Sequence, residues 1–313
     1  MKILIIFAGG TIGSAIKGNC ISIDSGKPSI LMETYRKKYG LDFEYETRTP
    51  YMVLSENNTG KNYVDLVDCI FDNIDGGYDG IIVTHGTDTL QYSSAVLTYA
   101  LGNNTIPACI VSSNHPIEHP NANGIDNLRG AINFIKNKCG RGAFVVYKNP
   151  YDKRTIVHRA NRLRAGYVYT DRLDSIYDMP YGYFDEDEQF VLNTNFVDLE
   201  GNFEPLGRLN IGPQCDFIYR IYPYVGMVYP RFPKTVKYVL LDSFHSGTID
   251  TASDAALEFY KYCKESGIKL YLTGLKNAIS YEGTLKYKEL GITPLYDISP
   301  ISAYVKGWLY GKL

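Results

Sequence analysis

The sequence predicts an α/β protein, with a larger N-terminal parallel-sheet domain covered by helices on both faces and a smaller C-terminal α/β domain. Three observations carry this. Apolar strand-like runs at residues 3–8, 80–85, 108–113 and 142–147 alternate with helix-like segments, the mark of β-α units wound into a parallel sheet. A second β-α series starts at residue 237. The 313 residues are enough for about two domains.

Residues 3–8 (ILIIFA) form a continuous apolar run, as expected of a first strand buried on both faces. One positive charge precedes the run and Gly9-Gly10 follow it without a cleavage pattern, so it does not read as a secretory leader. Residues 61–74 place Val64, Val67, Ile70, Phe71 and Ile74 at helical spacing, and Gly76-Gly77 stop them. Strand GIIVTH (80–85), helix LQYSSAVLTYAL (90–101), strand ACIVSS (108–113), helix IDNLRGAINFIK (125–136) and strand GAFVVY (142–147) complete the first series.

The rhythm then stops. Residues 184–208, with the acidic run Asp185-Glu186-Asp187-Glu188, read as a solvated linker between domains at 1–183 and 209–313. The second series comprises strand 237–242, a helix from about Ser253 to Ser266 closed by Gly267, strand 268–274, a helical stretch at 281–289 and a terminal helix at 299–312.

Composition narrows the function. Hydrophobic residues make up 45% and charged residues 21%, so the chain is expected to be globular rather than disordered. A net charge of −2 argues against a nucleic-acid partner, and no apolar run approaches the roughly 20 residues that cross a bilayer. The six cysteines (Cys20, Cys69, Cys109, Cys139, Cys215, Cys263) are scattered without a CxxC, which argues for free thiols in a reducing cytoplasm rather than disulfides or structural zinc. His85, His115, His119, His158 and His245 form no metal-site pattern. The sequons at Asn57 and Asn103 carry no weight without a secretion signal.

Ligands of parallel α/β sheets bind beyond the carboxyl ends of the strands. Three polar clusters stand at such ends: Gly9-Gly10-Thr11-Ile12-Gly13-Ser14 after the first strand, Ser55-Glu56-Asn57 after the short apolar stretch 51–54, and His85-Gly86-Thr87-Asp88-Thr89. Each has a plain structural reading. Gly9-Gly10-Thr11 lacks both GxGxxG and the Walker lysine, and alone reads as a tight turn with Thr11 capping the next segment. Thr87, Asp88 or Thr89 can be the N-cap of the next helix; equally, a hydroxyl beside a carboxylate at a helix start can serve catalysis.

Together, GGTIGS and THGTDT resemble the two signatures of the asparaginase/glutaminase family of threonine amidohydrolases, which includes the amidase subunit of the archaeal glutamyl-tRNA amidotransferase. The resemblance extends to Ser55-Glu56, to residues 111–116 and 123–128, and to the last segment, 299–313, with Ala8 standing where the family usually has threonine. It implies hydrolysis of the asparagine side-chain amide, without metal or organic cofactor, by a cytoplasmic homodimer or homotetramer acting on a small amino acid. It also implies roles. Thr11 would be the nucleophile, Thr87 the second catalytic threonine and Asp88 its partner. Ser55, with backbone N–H groups near Gly86, would take the substrate carboxylate, and Glu56 would add negative charge near its ammonium. Such an arrangement suits a zwitterion.

Two positions depart from the family. Residues 12–34 hold no tyrosine where the family has one, and Cys20 lies close to that position. The family lysine falls at Arg164 or Ala165, and pairing Asn161-Arg162 with the family's upstream polar residues favours Ala165. Arginine keeps its proton and alanine has none to handle. Either the base comes from elsewhere, from Lys153 or from a water held by Asp88, or turnover is slow. The alternative is a member of the family that binds an amino acid as a sensor or acts on another amide.

Overall fold

The computed structural model describes residues 1–10, 12, 14–17, 20–23, 27–103, 105–198, 203–276 and 281–313. The chain forms two compact units, the first comprising Met1–Asp198 and Asn202–Pro213 and the second chiefly Gln214–Leu313.

In the first unit the order is β1 (Lys2–Phe7), β2 (Ser14–Lys17), β3 (Cys20–Ile23), α1 (Lys27–Tyr39), β4 (Glu44–Arg48), α2 (Gly60–Phe71), β5 (Gly80–Thr84), α3 (Leu90–Leu101), β6 (Ala108–Val111), α4 (Gly124–Lys136), β7 (Ala143–Tyr147), β8 (Thr155–Arg159), β9 (Gly182–Phe184) and β10 (Phe190–Leu192). Eight of these strands make one sheet in the order β10-β9-β8-β7-β6-β5-β1-β4, and β2 and β3 pair separately as a hairpin. The strands β4, β1, β5, β6 and β7 are parallel. The last three run antiparallel, an edge that the β-α rhythm did not announce.

Both faces are covered, as expected. Ile3, Ile5 and Phe7 of β1 pack with Leu31, Met32 and Tyr35 of α1 and with Leu128 and Ile132 of α4. The alternate residues Leu4 and Ile6 are wholly buried on the opposite face. There α2 turns inward Leu66, Val67 and Ile70, close to the periodicity read from the sequence.

The expected linker at 184–208 is not one. Phe184 and Phe190 pair across the β9-β10 hairpin and join the ring cluster of Phe134 and Tyr181. The acidic run is the hairpin's turn: Asp185 Oδ1 accepts from the N–H groups of Asp187 and Gln189, and Glu188 pairs with Arg129 at 2.8 Å. Further on, Leu206 and Gly207 donate to the carbonyls at the end of α3. Burial of aromatic rings beneath a charged turn explains why charge alone misread this segment. The units divide after Pro213, not at residues 183 and 209.

The second unit is a four-stranded parallel sheet, β11 (Ile218–Ile221), β12 (Tyr238–Asp242), β13 (Lys269–Leu275) and β14 (Ile292–Tyr296), with α5 (Asp254–Glu265) and α6 (Pro300–Tyr310). Ser253 caps α5 and Ser299 caps α6 through their side chains. The expected helix at 281–289 is a short 3₁₀ turn, Glu282–Lys286.

Candidate active site at the strand switch point

β1 pairs with β4 on one side and β5 on the other, so the chain reverses its direction of travel across the sheet at β1. The crevice at the carboxyl ends of β1 and β5 is therefore the topological switch point, where open α/β sheets bind ligands. The three polar clusters read from the sequence meet there.

Glycine makes the meeting possible. Gly10 has φ +81° and donates its N–H to Val53 O at 3.2 Å; a Cβ on Gly10 would lie 2.1 Å from the backbone nitrogen of Gly86. A Cβ on Gly86 would lie 2.5 Å from Ser55 Oγ. Three loops thus touch through positions that admit no side chain. Gly10, Ser55 and Gly86 are brought together, and Thr87, Asp88 and Glu56 come next in the same loops. Thr11, together with the side chain of Cys20, lies outside the described residues.

The loops are braced from below. His85 is wholly buried. Gly86 O can only accept, so His85 Nδ1–H is the donor of their 2.8 Å bond, and Nε2 accepts from Ser93 Oγ at 2.7 Å and from Asn58 Nδ2 at 3.2 Å. Burial drives the imidazole pKa down to about 4, which keeps the ring neutral. Asn58 also donates to Thr89 Oγ1, and Thr89 donates to Ser55 O at 2.8 Å, tying the Ser55–Asn57 turn to the start of α3. Because a trans peptide directs C=O and N–H oppositely, the His85–Gly86 bond turns the N–H of Thr87 away from the imidazole.

The bracing bears on the cap reading of Thr87-Asp88-Thr89. The N-cap of α3 is Thr89, yet no side-chain hydroxyl caps the helix, since that of Thr89 is given to Ser55 O. Thr87 is partly exposed, Asp88 and Glu56 are exposed, and none of the three is hydrogen-bonded or ion-paired among the described residues. Ser55 is 4% exposed and its Oγ has no partner among the described residues. The hydroxyls of Thr84 and Ser112, at the ends of β5 and β6, are likewise buried without partners. Buried polar atoms are nearly always hydrogen-bonded in folded proteins, so this grouping marks a place suited to a polar ligand.

The cations considered as substitutes for the family lysine are engaged elsewhere. Arg164 pairs with Asp178 at 3.3 Å and lies over the Tyr167 ring, Ala165 is exposed, and Lys153 pairs with Glu186 of the hairpin turn. The His115 and His119 rings lie 4.1 Å apart, tilted by 33°, and no cluster of metal-ligating residues occurs among the described residues. No helix is long and apolar enough to cross a membrane among the described residues. A cavity of about 600 Å³ in the second unit, near Tyr224, Asp242 and Asp250, contains none of these groups.

Sequence reasoning missed Asn58, Gln91 and Ser93. Asn58 belongs to a sequon that carried no weight, and the other two look like ordinary polar residues of a helix face.

Fold and geometry together define an α/β protein with a candidate polar-ligand site at the switch point, where threonine, serine and carboxylate side chains gather. Comparison with known proteins makes the class specific. The family model "Asparaginase, N-terminal" matches residues 2–195. An L-asparaginase of Thermococcus kodakarensis is 27% identical, covering 98% of this chain and 91% of its own. A glutamyl-tRNA(Gln) amidotransferase subunit of Sulfolobus acidocaldarius is 25% identical over 97% of this chain and 70% of its own. Among solved structures, the thermostable L-asparaginase from Thermococcus kodakarensis superposes with a TM-score of 0.77 at 22% identity, covering 99% of this chain and 92% of the other. L-asparaginase I from Vibrio cholerae gives 0.72 at 20% identity, with the same two coverages. The chain belongs to the asparaginase family.

Proposed function

We propose that this chain hydrolyses the side-chain amide of L-asparagine to L-aspartate and ammonia. The observation that carries the reading is the convergence of Gly10, Ser55 and Gly86, with a buried, unpartnered Ser55 hydroxyl beside the unengaged Thr87-Asp88 pair. Ser55 Oγ and the backbone N–H groups around Gly86 take the substrate α-carboxylate; Asp88 and Glu56 face its ammonium. Held at both ends, the amino acid presents its amide carbon to the hydroxyl of Thr11, the nucleophile. Thr87, partnered by Asp88, places or activates the attacking group. The working form is a cytoplasmic homodimer or homotetramer.

A second reading has its own support. Arg164 and Lys153 pair with Asp178 and Glu186 at 3.3 and 3.2 Å, and an arginine keeps its proton in any case. A protein that binds the amino acid without turning it over, or acts on another amide, fits that observation. Ammonia release from L-asparagine and L-glutamine, with Thr11→Ala and Thr87→Ala as controls, separates them. Turnover abolished by both changes supports hydrolysis. Stabilisation by L-aspartate without ammonia supports the sensor. Turnover indifferent to Thr87→Ala overturns the site assignment.

A further inference from the structure

The first turn of α3 holds a buried amide that internal hydrogen bonding does not account for. Gln91 is 3% exposed, and its Oε1 has no partner among the described residues. The other polar side chains on the helix's buried surface are satisfied locally: Ser94 donates to Leu90 O, Thr98 to Ser94 O, and Ser93 bonds His85. A buried carboxamide oxygen without a partner costs stability that a leucine of similar size would not, so packing alone gives no reason for glutamine here.

Its surroundings supply one. Side chains of a helix lean toward its N-terminus, which for Gln91 is the Thr87–Thr89 turn. Gln91 Nε2 lies 3.3 Å from where a Cβ of Gly166 would be, so the amide sits against the backbone just beyond Arg164. Arg164 does not claim this space, its guanidinium being paired with Asp178.

We propose that Gln91 is a positioning residue for the reaction at Thr87: its buried Oε1 accepts a hydrogen bond from a water at the Thr87-Asp88 turn and fixes that water's orientation. A carboxamide oxygen accepts a hydrogen bond and takes no proton at ordinary pH, so Gln91 orients and does not act as base. The inference rests on the amide-hydrolysis reading of the site.

The test compares Gln91→Leu and Gln91→Glu with the unaltered protein, measuring ammonia release from L-asparagine and L-glutamine across pH together with the thermal midpoint. Gln91→Leu is expected to lower kcat by about tenfold or more with KM little changed, and to leave the midpoint equal or higher. Gln91→Glu keeps an acceptor oxygen and is expected to retain most of kcat while adding an ionisation to its pH profile. An unaltered kcat in Gln91→Leu overturns the proposal while leaving amide hydrolysis standing. So does a loss that accompanies a fallen midpoint and is not rescued by glutamate. Absence of ammonia from the unaltered protein overturns the hydrolysis reading, and this proposal with it.

Discussion

Replacing Gly10 with alanine tests whether backbone contact between loops builds the site, and Gly40→Ala supplies the control. Both glycines have left-handed backbone, φ +81° and +78°, but a Cβ on Gly40 meets nothing within 4 Å. Gly40→Ala therefore incurs conformational strain alone, roughly 1–2 kcal/mol. Gly10→Ala adds a methyl 2.1 Å from Gly86 N and 2.3 Å from Gly86 Cα. These are backbone atoms that cannot rotate aside, so the ends of β1 and β5 must part, at a further ~1–3 kcal/mol. The total is about 2–5 kcal/mol, a large share of the roughly 5–15 kcal/mol that holds a typical protein folded. With a urea m-value near 2 kcal/mol/M, the midpoint falls by roughly 1–2.5 M. The single tryptophan, Trp308, lies in the second unit, so unfolding of the first is followed by circular dichroism rather than tryptophan fluorescence. Gly10→Ala is also expected to lose stabilisation by L-aspartate, while Gly40→Ala keeps it. Equal losses of stability in the two variants would refute the claim that the loops are in contact at Gly10.

The same geometry yields three further outcomes. His85 and His158 are wholly buried with pKa values lowered to about 4, so the unfolded chain binds more protons than the folded one between about 6.5 and 4; stability is full above that window and falls through it by up to roughly 3 kcal/mol per histidine. Denaturation at stepped pH should show this slope, shallower by one proton in His85→Gln, and an unchanged slope would contradict a neutral buried imidazole. Ser55→Ala should leave stability intact, because Oγ has no partner to lose among the described residues, yet weaken L-aspartate binding by about tenfold or more in calorimetry; unchanged affinity would remove Ser55 from the carboxylate site. Arg164→Ala should change kcat less than about threefold, since the guanidinium is held by Asp178; a collapse of kcat would place Arg164 in the reaction.

The features legible in the sequence are local and apolar. Helix α3 spans the predicted 90–101, and the buried strands β1 and β5 announce themselves as unbroken apolar runs. Strand β4 does not, because EYETR sits at the sheet edge and buries little. Helix α1 escaped because its buried residues, Leu31, Met32 and Tyr35, are too few to set a clear period among lysines. At the site, reading polar residues at strand ends located the three clusters. The reasons for them were not legible: that Gly10 and Gly86 are glycines because backbones touch, or that Thr89 serves Ser55 O instead of its helix, depends on contacts between segments remote in sequence.

Those contacts also limit where a proton can go. His85 stands directly before Gly86, but both its ring nitrogens are engaged and burial holds it neutral. Lys153 pairs with Glu186 and Arg164 with Asp178. The carboxylate next to Thr87 that is exposed and unengaged among the described residues is that of Asp88. If the chain hydrolyses amides, Asp88, or a water it holds, is the acceptor we propose for the proton released by the attacking hydroxyl or water. Asp88→Asn preserves shape while removing both the acceptor and the charge facing the substrate ammonium. It should lower kcat by about 10²-fold or more and raise KM, with little change in unfolding midpoint, because Asp88 makes no contact among the described residues whose loss would destabilise the fold. Loss of both parameters in Asp88→Asn, against retention in Arg164→Ala, would assign proton handling to the carboxylate. Full kcat in Asp88→Asn would require an acceptor from elsewhere and would refute this account of the reaction.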